Sequence, residues 1–191
     1  MESNVRITNI SIRNFKNVNK GEISFVNSRK NFKASVLGLY GQNGSGKTAL
    51  IDALELLKGA LCEFEIPDKF ADYINVDSDG SEIEYSFDVI LDETVYPVVY
   101  SLTIMRETVQ DSGNTESAIE ERERYKAKVL NEVLKCQAKT PSGKLRMGRI
   151  IDTESTAVFV PKAKYDLLVG GNKETSTDLL VSKKLSQKTS K

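Results

Sequence analysis

The sequence contains no histidine. That absence removes Ser-His-Asp and Cys-His catalysis, histidine-ligated zinc and every histidine general base. Chemistry in this chain must run on carboxylates, lysines, hydroxyls, backbone amides or a bound hard cation. Cysteine is scarce too. Cys62 and Cys136 follow no metal or redox spacing and read as reduced thiols of a cytoplasmic protein. No run of about 18 apolar residues marks a membrane span, and neither end carries a secretion signal, so no membrane partner is expected. Neither sign of charge prevails: 27 Lys and Arg balance 27 Asp and Glu. No global field therefore draws in nucleic acid or a lipid surface.

What is present suits one domain with a core of its own, at 191 residues and 39% hydrophobic. Val5 and Ile7, then Ile10 and Ile12, alternate with one slip, which predicts an opening strand with a bulge. Gly21 to Phe25 reads as its hairpin partner across the turn Lys16 to Lys20. Ser35 to Tyr40 is apolar on both faces, as a central strand covered on both sides must be. A helix follows from about Lys47 to Leu61. Its stripe comprises Leu50, Ala53, Leu54, Leu57 and Leu61, with Asp52, Glu55 and Lys58 on a narrow wet side.

Beyond Pro67 a short helical piece carries Phe70 and Ile74. From Ser81 the period changes to two, and Val95 to Met105 returns as a hairpin partner across Asp92 to Thr94. The charged segment Glu120 to Lys135 fits either a helix or a strand, with strand preferred. Thr156 to Val160 reads as a further short strand. A polar tail follows from Gly170, with a helix beginning near Thr177. The expected division is a nucleotide-binding lobe over 1–170, with an antiparallel arm at about 80–160, and a tail or the start of an insertion over 171–191.

Gly41-Gln42-Asn43-Gly44-Ser45-Gly46-Lys47-Thr48 satisfies G-x-x-x-x-G-K-[ST], between an apolar stretch and a helix. Glycines let the backbone curl so that its N–H groups form a nest for polyphosphate oxygens. The helix N-terminus adds its positive dipole end. Lys47 can reach the β- and γ-phosphates of ATP, and the Thr48 hydroxyl can ligate Mg²⁺. The bland alternative, a glycine-rich turn without a ligand, fits less well because motif and context agree.

Two other patterns carry weaker signals. Val89 to Glu93 resembles an apolar strand ending in Asp-Glu, which would give Asp92 and Glu93 catalytic roles. The strict alternation before it describes a half-wet strand running into a turn, and the bland reading is preferred. Asn75 to Gly80 matches half a calcium loop, but Ser86 stands where a glutamate is required, so a polar turn is expected. The basic clusters Lys144 to Arg149 and Lys183 to Lys191 are candidate contacts for DNA phosphates, with solvated surface the default.

Together, Ile7 to Val18 with Arg13-Asn14-Phe15, the short strand Glu22 to Phe25, and Gly38 to Leu61 resemble the N-terminus of the SMC/RecF-like branch of ABC-type ATPases. They are closest in flavour to AAA-family proteins of the OLD and abortive-infection type, often found in bacterial phage defence. Asn131 to Lys135 looks like a strand of that lobe. The resemblance implies an α/β P-loop NTPase fold, a first lobe with a mixed sheet plus an antiparallel β subdomain. It implies that Gly41 to Ala49 hold ATP and Mg²⁺, that Arg13 and Asn14 lie near the nucleotide, and that Gln110 or Gln137 senses Mg²⁺.

Against the family pattern, the chain has no LSGGE-like signature, no convincing apolar strand ending in Asp-Glu and no switch histidine. The resemblance therefore implies one half of an ATPase acting in DNA repair or phage defence. Its partners would be a second lobe or second head, as a homodimer in full length, with weak hydrolysis by this chain alone. A small phosphate-loop kinase acting on a small molecule, or a nucleotide-sensing interaction module, are the alternatives. The antiparallel middle argues against the kinase, and the intact Lys47 and Thr48 argue against a vestigial loop.

Overall fold

The computed structural model describes residues 3–26, 37–62, 66–91, 93–109, 124–139 and 145–152. Its strands are β1 (Ser3–Phe15), β2 (Val18–Ser24), β3 (Gly80–Leu91), β4 (Thr94–Val109), β5 (Arg124–Lys139) and β6 (Leu145–Asp152). Two helices accompany them, α1 (Lys47–Leu61) and the single turn α2 (Lys69–Asp72). The strands form one six-stranded sheet in the order β2-β1-β3-β4-β5-β6. Every pairing is antiparallel.

The slip in the opening alternation is a real irregularity. The β1–β3 register shifts between Ile7 and Asn9, so Ile7 on one side of it and Ile10 and Ile12 on the other all reach the same core. The two faces of the sheet differ in chemistry. Ile10, Ile12, Ile83, Tyr85, Leu102 and Ile104 pack with α1 and Phe70 in one cluster. The opposite face carries Ser11, Arg13, Glu82, Glu84, Ser101 and Thr103, and holds a shallow polar hollow of about 350 Å³.

Helix α1 lies on the apolar face because Ala49, Ala53, Leu56, Leu57 and Ala60 form its buried stripe. The buried Tyr85 hydroxyl donates to the Ala53 carbonyl at 2.5 Å, pinning the helix to β3. Burial holds that hydroxyl above the ordinary phenol range. Helix α2 is fastened by Lys69, which donates to both Glu55 oxygens at 2.6 and 2.8 Å, and by the Phe15–Phe70–Tyr73 aromatic cluster. The hydrogen bond to Glu55 raises the Lys69 ammonium above its usual value. Arg106 reaches across from β4 to the carbonyls of Ala71 and Ile74.

The opening hairpin, α1, α2 and the β3–β4 hairpin stand where the periodicity puts them, and the ambiguous Arg124–Lys139 is a strand. Three expectations differ. The described sheet is antiparallel throughout rather than mixed. Residues 37–40 carry no strand, and Leu37 and Tyr40 are exposed. A two-faced apolar strand needs a ladder neighbour on each side, and none of the sheet's strands borders this stretch. Asp52 is buried rather than wet, because Lys16 supplies its counter-charge. The basic cluster at 144–149 meets its expectation: residues 146–149 are exposed, on the edge strand β6. Gln110, Asp92, Lys144, Thr156 to Val160 and the segments from Gly170 and Thr177 lie outside the described residues, as does the second basic cluster.

Candidate functional site

The Gly41–Thr48 loop enters α1 directly. Gly46 caps the helix in the left-handed region at φ 87°, and Gly44 shares that conformation at φ 83°. Alternating left-handed glycines turn successive peptide planes inward, which is how a backbone nest for an anion forms. No side chain caps the N-terminus of α1 and no acidic residue lies in its first turn. Among the described residues its N–H groups and the positive end of its dipole therefore face no capping carboxylate. A Cβ on Gly41 would stand 2.8 Å from the Ser45 hydroxyl and 3.9 Å from the Lys47 ammonium. A side chain at Gly41 would therefore crowd the Ser45 hydroxyl and force it to turn away.

Lys47 curls back over the loop. Its ammonium donates to the carbonyls of Gly41 at 2.8 Å and Gln42 at 2.7 Å, and to the Ser45 hydroxyl at 3.2 Å. All three acceptors are neutral, and among the described residues no carboxylate pairs with it. A positive charge held at a nest by neutral groups is ready to exchange them for phosphate oxygens, which bind it more strongly. Gln42, Asn43 and Thr48 are exposed around the loop, and Ala49 is buried beneath it. These residues fit a polyphosphate.

The turn between β1 and β2 supports the loop from below. Asn17 donates its side-chain amide to the Gly44 carbonyl. Val18 packs so closely under Gly46 that a Cβ there would lie 2.9 Å from its methyl group. Lys16 forms an ion pair with Asp52 on α1 and sits 4.0 Å from the centre of the Tyr73 ring. Lys16, Asn17, Val18 and Asp52 were not singled out as site residues by sequence reasoning. One signal was available: Asp52 lies three residues after Ala49 and four before Leu56, both on the apolar stripe.

Arg13 and Asn14 stand at the end of β1, just before the turn that meets the loop. The Arg13 side chain lies on the polar face of the sheet, 3.7 Å from Glu82. Asn14, at φ 53°, donates to the Ser78 hydroxyl at 3.0 Å and accepts from the Asn75 amide and the Ser81 hydroxyl through its carbonyl. That polar network is the turn predicted for Asn75 to Gly80, closed by an Asp77 amide donating to the Asn75 side chain at 3.0 Å.

Glu93 lies in the β3–β4 hairpin turn at φ 66°. Leu91 pairs with Ser3 at the start of β1, whereas the loop is met at the end of β1, about 40 Å away at the usual strand rise. The described structure does not bring Glu93 to the loop. Gln137 lies in β5 opposite Met147. No group of three or more acidic or cysteine side chains able to hold a metal occurs among the described residues, and no helix among them is long and apolar enough to cross a membrane.

Comparison with known families adds a decisive match. The family model described as AAA ATPase domain matches residues 6–189. Neither the curated proteins nor the solved structures contain a significant match to the chain. The matched span takes in the loop, the helix it opens and all but the first three residues of the antiparallel sheet, and such a domain is a P-loop NTPase that binds nucleotide. The chain belongs to the AAA ATPase domain family.

Proposed function

We propose that this chain is the MgATP-binding lobe of an SMC/RecF/OLD-like ATPase that works in DNA repair or phage defence. The observation that carries the ATP part is the Lys47 ammonium. It is held by neutral acceptors over a nest of left-handed glycines at a helix N-terminus that no side chain caps. Gly41 to Ala49 hold the triphosphate, Lys47 contacts its terminal phosphates, and the exposed Thr48 hydroxyl is the protein ligand for Mg²⁺. Arg13 and Asn14 belong to this reading as residues at the end of β1, just before the turn that touches the loop. When bound, Mg²⁺ supplies charge neutralisation at the phosphates.

Two features support the finer assignment. An antiparallel sheet stands beside the loop and its helix, as the resembled family would have it. Leu37 and Tyr40, in the stretch expected to be a central strand, are exposed, which suits a lobe that meets a second lobe or a second head. Among the described residues no carboxylate pairs with Lys47, and Glu93 is remote from the loop. The half-site reading, with water activation supplied by a second lobe or head, expects slow hydrolysis by this chain alone.

The test compares binding with turnover on the purified chain. MgATP should bind, while phosphate release stays near the uncatalysed background. Turnover near 1 s⁻¹, in the ordinary range for enzymes, would contradict the half-site reading.

A further inference from the structure

We propose that Asn17 is a positioning residue of the nucleotide site, acting through the Gly44 carbonyl. The inference rests on the reading that the loop holds nucleotide phosphates. Asn17 is exposed at the tip of the β1–β2 turn, so the core does not require it. Its side-chain amide nevertheless donates to one loop carbonyl. In a trans peptide the carbonyl and the following N–H point in opposite directions. Holding the Gly44 oxygen toward the turn thus aims the Ser45 N–H into the loop. There it meets the Gln42 carbonyl at 3.2 Å, a long bond that an anion can displace.

The platform that carries Asn17 is fixed on several sides. The Lys16 amide donates to the Tyr73 carbonyl at 2.5 Å, and its ammonium is paired with Asp52 on α1. Asn19 next to the turn accepts from the Asn75 side chain at 2.8 Å. Val18 presses on Gly46 from the same turn. Gly44 and Gly46 are the two left-handed glycines among the described residues, and the turn meets both. A rigid element that contacts both pivots of the nest sets its shape before a ligand arrives, and preorganisation of this kind appears as affinity.

The experiment titrates MgATP into the full chain by calorimetry and records thermal midpoints. It uses wild type, Asn17→Ala, Asn17→Asp, Asn17→Gln and Lys47→Ala. Asn17→Ala should weaken MgATP by roughly 5–10-fold, the size of one hydrogen bond. Asn17→Asp, which turns a donor into an anion facing the carbonyl, should weaken it further. Asn17→Gln, which keeps the amide, should recover part of the loss. All three should melt within about 2 °C of wild type, because the side chain is exposed. Wild-type affinity in Asn17→Ala and Asn17→Asp, with binding lost in Lys47→Ala, would overturn the role of Asn17 and leave the site reading intact. A fall in thermal midpoint matching the loss of affinity would also overturn it, showing a structural role only. If Lys47→Ala binds like wild type, the site reading fails and the role of Asn17 fails with it.

Discussion

The inner and outer flanks of α1 tell different stories. Inward, Ala49, Ala53, Leu56 and Leu57 meet the antiparallel sheet, and Tyr85 hydrogen-bonds into the helix. Outward and just before the loop, Ile51, Leu61, Leu37 and Tyr40 are exposed, Tyr40 at 95%. Both regions are rich in apolar side chains, so hydrophobicity alone does not separate them. What differs is whether the described residues supply a covering layer. The antiparallel half closes its own packing, whereas the loop half presents surface that packing alone would bury.

Substitutions on the two flanks should diverge sharply. Leu56→Ala empties a fully packed position and should cost about 2–5 kcal/mol of unfolding free energy, read by urea denaturation. A cost under about 0.5 kcal/mol there would mean the inner flank is loosely packed. Tyr85→Phe removes one buried hydrogen bond and should cost about 1 kcal/mol at neutral pH.

The same residue predicts a pH dependence. Burial raises the Tyr85 hydroxyl above its ordinary value, so the folded state holds its proton more tightly than the unfolded chain. Its contribution is complete below about pH 10, the unfolded value, and declines as the pH rises beyond it. Midpoints measured from pH 8 to 11 should fall less steeply in Tyr85→Phe than in wild type. Parallel slopes would remove Tyr85 from the explanation.

The smallest effect belongs to the outer flank. Ile51→Ala and Tyr40→Ser should each shift stability by no more than about 0.5 kcal/mol. A large loss in either would show that this surface is covered within the chain itself.

Much of the inner flank could be read in the sequence because its causes are local. The slip between Ile7 and Ile10 became the register shift of β1, and the stripe from Leu50 to Leu57 became the buried face of α1. The loop was readable because glycine conformation, the lysine and the helix start all lie within Gly41 to Thr48. The rest depends on distant partners. The burial of Asp52 is set by Lys16, 36 residues earlier, and no window along the helix contains that cation. The part played by Asn17 depends on a turn brought under Gly44 by the hairpin. Within the stretch Ser35 to Tyr40, the described residues 37–40 depart from expectation for the opposite reason. Its pattern reports the neighbours a central strand needs, and among the described residues those neighbours are absent.

The central claim is that Lys47 over the glycine nest makes a MgATP site. Calorimetric titration of MgATP into wild type and Lys47→Ala tests it most directly. The account predicts saturable one-to-one binding to wild type and a loss of roughly 10- to 100-fold in the variant, as expected when a charge-assisted contact to phosphate is removed. Equal affinity of the two proteins at unchanged thermal midpoint would contradict it.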